Sequence, residues 1–349
     1  MKSRFKVPDE LGIVGVLLIV AVAMAVMSSS FRSPGNLSVL LENGVVVAFL
    51  ALGQTFVLLT GGIDLSVGSN IALTGMLAAL TMAAGLPWWV AVIVALLVGA
   101  AVGLFNGVIV HYLRLPPFIV TFATFGITAS IPKILTNAQS VNIEDPMFAV
   151  IGRGSLGGIP TPVILVVIAL LIFMFILHRT PFGVHLYAVG GNKETSRLAG
   201  INIARVTISA YVVSGICAAF GGLITMSRLM VGYPSAGSGN EQFYSIASSV
   251  VGGVSLFGGA GTILGAFVGA ILIATVSNGM NVLGVPSFWQ PLVIGVIILG
   301  GVTLDGYRRS AAARHSGLRR IRRTRQEGEG LHEPTESTPA PQAPTPTGT

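Results

Sequence analysis

Between Glu42 and Arg114 the chain carries a single formal charge, Asp64, and between Glu241 and Asp305 it carries none. A soluble surface cannot run for more than sixty residues without charged side chains, whereas the interior of a bilayer excludes them. The whole chain follows suit: 9% of residues are charged and 52% are apolar, against ~25% charged in soluble domains. Both stretches therefore lie in lipid, and a soluble or natively disordered class is excluded. The lone Cys217 has no partner within the chain and reads as a small packing residue.

A helix crossing ~30 Å of hydrocarbon at ~1.5 Å per residue needs ~20 residues. Apolar windows near that length fall at 11–27, 44–60, 67–84, 88–110, 118–135, 162–177, 206–227, 244–257, 262–283 and 288–304. They predict an all-α polytopic membrane protein with about ten spans. The eighth window is short and edged by Gly252–Gly253 and Gly258–Gly259, which predicts a broken or re-entrant helix. The first, after Lys2, Arg4 and Lys6, exceeds the ~7 to 15 residues of a cleaved signal core and reads as a retained helix. No internal repeat is evident. The spacings Gly99-x3-Gly103-x3-Gly107 and Gly261-x3-Gly265-x3-Gly269 predict close helix packing.

Ten spans with the N-terminus inside place sixteen basic residues on cytoplasmic segments and four outside, so both termini are expected in the cytoplasm. Half of the sixteen are arginines between Arg308 and Arg325. That cluster suits anionic membrane lipid, and no nucleic-acid partner is expected. The division is thus a transmembrane domain over 1–306 and a basic, then proline-rich, disordered tail over 307–349.

No phosphate-cradling loop, H-E-x-x-H pair or Cys/His cluster occurs, so the chain is expected to be no enzyme and to hold no metal or cofactor. Its informative segments are three. In GQTFVLLTGGIDLSVGS, Gly61 and Gly62 end one span and Asp64 or Ser66 can N-cap the next; capping and a gating role both fit. In AVGGNKETSRLAGINI, a short surface helix over 193–199 is stopped by Gly200. The third, IASSVVGGVSLFGGAGT, is the glycine-rich run with Gly252, Gly253, Gly258 and Gly259.

These three strings, in this order, resemble the permease subunits of ribose/xylose-type sugar importers driven by ATP-binding cassettes, the branched-chain amino-acid/monosaccharide permease group. The resemblance covers residues 10 to 306. It implies that Asn192, Lys193, Glu194, Arg197, Ala199 and Gly200 belong to a coupling helix that docks on an ATPase, although Thr195 and Ser196 stand where the family has alanines. It also implies partners: the ATPase, which holds ATP and Mg, an extracytoplasmic solute-binding protein, and a second copy of this chain or a homologous permease in the bacterial inner membrane.

Polar side chains within spans are the candidates for a solute pathway: Gln54, Thr55, Asn106, Thr124, Asn278 and Asn281, together with Asn70 and Thr121. Interhelical hydrogen bonding explains each equally well. No carboxylate or basic residue is clearly placed inside the membrane, which favours a neutral sugar-like solute over an ion-coupled secondary transporter, the alternative reading.

Overall fold

The computed structural model describes residues 10–303 and 305–307. Helices α1 (Glu10–Met27), α2 (Pro34–Leu59), α3 (Val67–Ala83), α4 (Trp88–Tyr112) and α5 (Pro117–Thr136) come first. Strand β1 (Val141–Asn142), helix α6 (Ala149–Arg153) and the hairpin of β2 (Ser155–Leu156) with β3 (Ile159–Pro160) lead into α7 (Thr161–Arg179). Two short helices follow, α8 (Pro181–Gly191) and α9 (Lys193–Leu198). Then come α10 (Ile203–Leu229), β4 (Val231–Gly232), α11 (Glu241–Val251), α12 (Ile263–Val282) and a last helical span, α13 (Ser287–Tyr307). β1 pairs antiparallel with β4. Apart from Tyr307, the tail expected over 307–349 lies outside the described residues.

Among the described residues, seven helices are long and apolar enough to cross a membrane: α2, α4, α5, α7, α10, α12 and α13. Shorter apolar helices are Leu11–Met27, within α1, and α3. The eighth window does not hold a full span. Its helix, α11, has 11 residues and covers only ~16 Å at ~1.5 Å per residue, about half of a hydrocarbon core.

The missing length is supplied by extended chain. After β4 the backbone runs down the side of α3, antiparallel to it: Gly232 packs on Ala79 and Met76, and Gly237 packs on Gly68 and Ile71. α11 then continues in the same direction, its backbone at Ser248 against Gly269 and at Gly252 against Gly265. Non-helical backbone at such depth is tolerated only where protein or water satisfies it.

The centre of the bundle is α2, in which every residue from Val47 to Leu59 is buried, as expected of a helix that is apolar all round. It packs against α10, α11 and α12, while α10 packs against α2, α3 and α4. Each central helix thus meets the other and the pair that follows the other, an internal correspondence that sequence inspection misses. Five of the six glycines expected to bring helices together do so: a Cβ on Gly103 would collide with the carbonyl oxygen of Tyr211, and one on Gly99 with that of Gly215, whereas Gly261 lies in the loop before α12 and meets Val254. Hydroxyls buried in helices satisfy themselves on the preceding turn, as Thr55 does on Ala51 O (2.7 Å) and Thr74 on Asn70 O (2.7 Å). Large apolar side chains outside, such as Leu97, Phe122, Leu171 and Phe175, are exposed, the reverse of a soluble surface.

Candidate functional site

Asp64 sits on the turn between α2 and α3, and this turn folds back into the bundle instead of leaving it. Tyr211 and Ser214, which meet it, lie on α10; Ser214 is eleven residues into that helix, or ~16 Å at ~1.5 Å per residue. The expectation that no carboxylate is placed inside the membrane is therefore corrected. The reason is backbone geometry: Gly61, at φ 76°, turns the chain inward where a continuous helix would carry it outward.

The Asp64 carboxylate accepts only from neutral donors. Oδ1 accepts from Ser66 N (3.0 Å) and Ser66 Oγ (2.6 Å), and Oδ2 accepts from Ser214 Oγ (2.8 Å). N-capping is corrected as well. Ser66 is the N-cap of α3, yet its hydroxyl donates to Asp64 and makes no cap bond to the helix. A relay extends from there: Thr124 Oγ1 donates to Asn106 Oδ1 (2.6 Å), and Asn106 Nδ2 donates to Ser66 Oγ (2.9 Å). The Gln54 amide, oriented to satisfy both ends, donates to Asp64 O (3.0 Å) and accepts from Asp64 N (3.2 Å). Four elements, α2, α4, α5 and α10, are thereby fastened to one loop, and hydrogen bonds in such a chain strengthen each other.

Except for Thr121, which reaches the same turn at Ile63, the other pathway candidates stand apart from this network. Thr55 faces Ser249 Oγ on α11 at 3.4 Å. Asn278 and Asn36 form a reciprocal amide pair, both bonds 2.9 Å, joining α12 to the start of α2. Asn281 Oδ1 accepts from Gln290 Nε2 (2.7 Å). Asn70 donates to Gly215 O (3.5 Å), and Thr121 to Ile63 O (3.2 Å).

The three glycine-bearing strings, separated in sequence, converge on one backbone junction. Gly259 N donates to Leu59 O (2.9 Å). A Cβ on Gly190 would collide with Leu59 O, and one on Gly258 would lie 2.8 Å from Gly61 N and 2.9 Å from Gly190 O. Bare backbones therefore interlock the end of α2, the end of α8 and the loop after α11. Tyr187 adds a tie from α8, its hydroxyl donating to Gly261 O (2.8 Å); burial raises its pKa, which keeps it a donor. Gly252 and Gly253 close α11, with Gly253 at φ 88°, whereas Gly62 packs on the Tyr211 hydroxyl.

Beside this junction stands α9. Asn192 caps it, Oδ1 accepting from Thr195 N (2.9 Å), and Glu194 pairs with Arg197 (3.1 Å) on its exposed face. Gly200 N donates to Arg197 O (3.0 Å) and Ile201 N to Ser196 O (3.0 Å), with Gly200 at φ 80° and Ala199 as C-cap. This is a Schellman stop. Lys193, Glu194, Arg197 and Ala199 are exposed, whereas Ser196 is buried.

A bundle of apolar helices with a buried polar turn and a rigid helix projecting beside a glycine junction defines a multi-pass membrane transport subunit. The chain belongs to the family described as branched-chain amino acid transport system / permease component, whose model matches residues 36–302. It is 39% identical to the probable ABC transporter permease protein y4mJ of Sinorhizobium fredii, over 86% of this chain and 90% of that one. It is 38% identical to the ribose import permease protein RbsC of Escherichia coli K12, over 85% of this chain and 93% of the relative. With the D-allose transport system permease protein AlsC of the same strain it shares 37% identity, over 83% and 90%. No solved structure matches.

Proposed function

We propose that this chain is the translocation pathway of an ATP-driven bacterial importer that carries a monosaccharide or similar neutral polar solute across the inner membrane. Ribose and allose are the cargoes named for relatives at 38% and 37% identity. The partners are a cytoplasmic ATPase, which supplies ATP and Mg, an extracytoplasmic solute-binding protein, and a second copy of this chain or a homologous permease. Ten passes, with both termini and the α8–α9 side in the cytoplasm, agree with the basic residues on that side, Arg179, Lys193, Arg197 and Arg205 among them. The arginines from Arg308 to Arg325, which follow the last apolar segment, suit anionic lipid on that side.

The observation that carries this reading is the backbone contact of Gly190 with Leu59 and of Gly258–Gly259 with Gly61 and Gly190–Gly191. Through it, a push on α9 reaches two helix breaks at once, the turn that holds Asp64 and the loop that follows α11. Packed backbones transmit such displacement with little compliance. Asn192, Lys193, Glu194, Arg197, Ala199 and Gly200 are then the residues that couple to the ATPase. Gln54, Asn106 and Thr124 hold the Asp64 turn in place, while Thr55 lies beside α11. The ion-coupled alternative draws no support from the relatives, one named as a probable ABC transporter permease and another as a ribose import permease.

Gly200→Glu tests the coupling. It adds charge at the tip of α9 where no atom lies within 4 Å, and strain of ~1 kcal/mol at a positive φ. Normal membrane abundance with loss of both ATPase co-purification and uptake is expected. Normal values for both would remove α9 from the mechanism.

A further inference from the structure

Two discontinuous helices meet head to head inside the bundle. α3 starts at Val67 and α11 at Glu241, and the two pack together at their first turns: a Cβ on Gly68 would collide with Gln242 Oε1 and lie 3.0 Å from Gly237 O. Gly68 is fifteen residues from the far end of α3, or ~22 Å at ~1.5 Å per residue, so the meeting point is deep. Neither N-cap, Ser66 or Asn240, makes a side-chain cap bond. Each helix start presents N–H groups and a partial positive charge of about half a unit.

Acceptors stand opposite these donors. Gln242 is 6% exposed, and its Oε1 has no hydrogen-bond partner; neither has Glu241 Oε2 on the same turn. Leaving such buried acceptors unpaired costs ~1 to 3 kcal/mol each, unless a passing group supplies the donor. The adjoining Ser238 and Gly239 are exposed irregular backbone. Within the hydrocarbon depth such backbone does not face lipid, so this side of the junction meets water or protein.

We propose that the junction of the α3 and α11 N-terminal turns is a contact point for the solute in the pathway. Gln242 Oε1 and Glu241 Oε2 accept from hydroxyls of a neutral polyhydroxylated solute, and the helix N–H groups donate to its oxygens. A hydroxyl both donates and accepts, which fits a site that offers both. This inference rests on the importer reading above and adds the residues that read the cargo.

The test uses the complete complex of this chain, its ATPase and its solute-binding protein in proteoliposomes, with radiolabelled D-ribose, D-allose and L-arabinose offered in turn. Gln242→Met keeps the volume and removes the acceptor, and uptake is expected to fall about 10-fold or more while ATPase co-purification stays normal. Separately, Ser238→Cys in a Cys217→Ala background should react with a membrane-impermeant thiol reagent, and a transported sugar should slow that reaction. If the wild-type complex carries none of the sugars, the importer reading for them fails and this inference with it. If the wild type transports but Gln242→Met does so within about 2-fold, the function stands and the contact point is wrong. An unreactive Ser238→Cys also overturns the proposal, whether or not Gln242→Met folds, because the junction then faces no water.

Discussion

The Asp64 carboxylate, on the turn before α3, accepts a 2.8 Å hydrogen bond from Ser214 on α10, 150 residues further along the chain. That bond fastens the family's glycine-bearing turn to the helix that α8 and α9 feed. Removing the carboxylate by Asp64→Ala leaves the Ser214 and Ser66 hydroxyls and the Ser66 N–H buried without it, at ~1 to 3 kcal/mol for each that finds no substitute. A clearly lower unfolding temperature in detergent is expected. Asp64→Asn should be milder, because a hydroxyl can turn from donor to acceptor toward an amide. Equal stability of Asp64→Ala and wild type would show that the network is dispensable.

Gly103→Val should lower the amount of folded protein in the membrane. Its Cβ meets the carbonyl oxygen of Tyr211 at the α4–α10 contact, and overpacking there costs ~1 to 3 kcal/mol. Gly126→Val, where no atom lies within 4 Å of the new Cβ, is the comparison and should express like wild type. Quantitative blotting of membrane fractions reads both.

Gly190→Ala separates docking from transmission. The added methyl strikes Leu59 O, yet α9 with its Asn192 cap and Gly200 stop is untouched. The expected phenotype is a complex that co-purifies with its ATPase but takes up solute at a reduced rate. Loss of co-purification instead would place Gly190 in the docking surface itself.

Orientation is checked with single cysteines in a Cys217→Ala background. Thr195→Cys on exposed α9 should be shielded from an impermeant reagent in intact cells, and Asn142→Cys, exposed on β1, should react. Ser196 is unsuited to this test because it is buried and its hydroxyl donates to Asn192 O (2.8 Å). Labelling of Thr195→Cys from outside would invert the topology.

Helix placement was largely legible in the sequence, since apolar length alone decides it: each of the ten windows contains a helix, and Gly252–Gly253 rightly marks the eighth as broken. What composition hides is direction. Residues 231–240 mix Pro, Gly and Ser, and nothing in that composition shows that they descend along α3, where Gly232 and Gly237 allow close approach. Periodicity likewise cannot pair Asn278 with Asn36, 242 residues away, or bring Gly190 to Leu59. The N-cap expectation for Asp64 and Ser66 failed because their own hydroxyl–carboxylate bond at 2.6 Å competes with the helix. Gln242 escapes the search for polar side chains within spans because it lies just before the eighth apolar window, outside every predicted span.

The central claim is that this chain forms an ATP-driven pathway and not an ion-coupled carrier. Its most direct test is D-ribose uptake into proteoliposomes that hold the chain with its ATPase and solute-binding protein. Uptake should require ATP on the ATPase side and binding protein on the other, and the chain alone should neither hydrolyse ATP nor transport. Uptake by the chain alone that follows an imposed proton or sodium gradient would contradict the account.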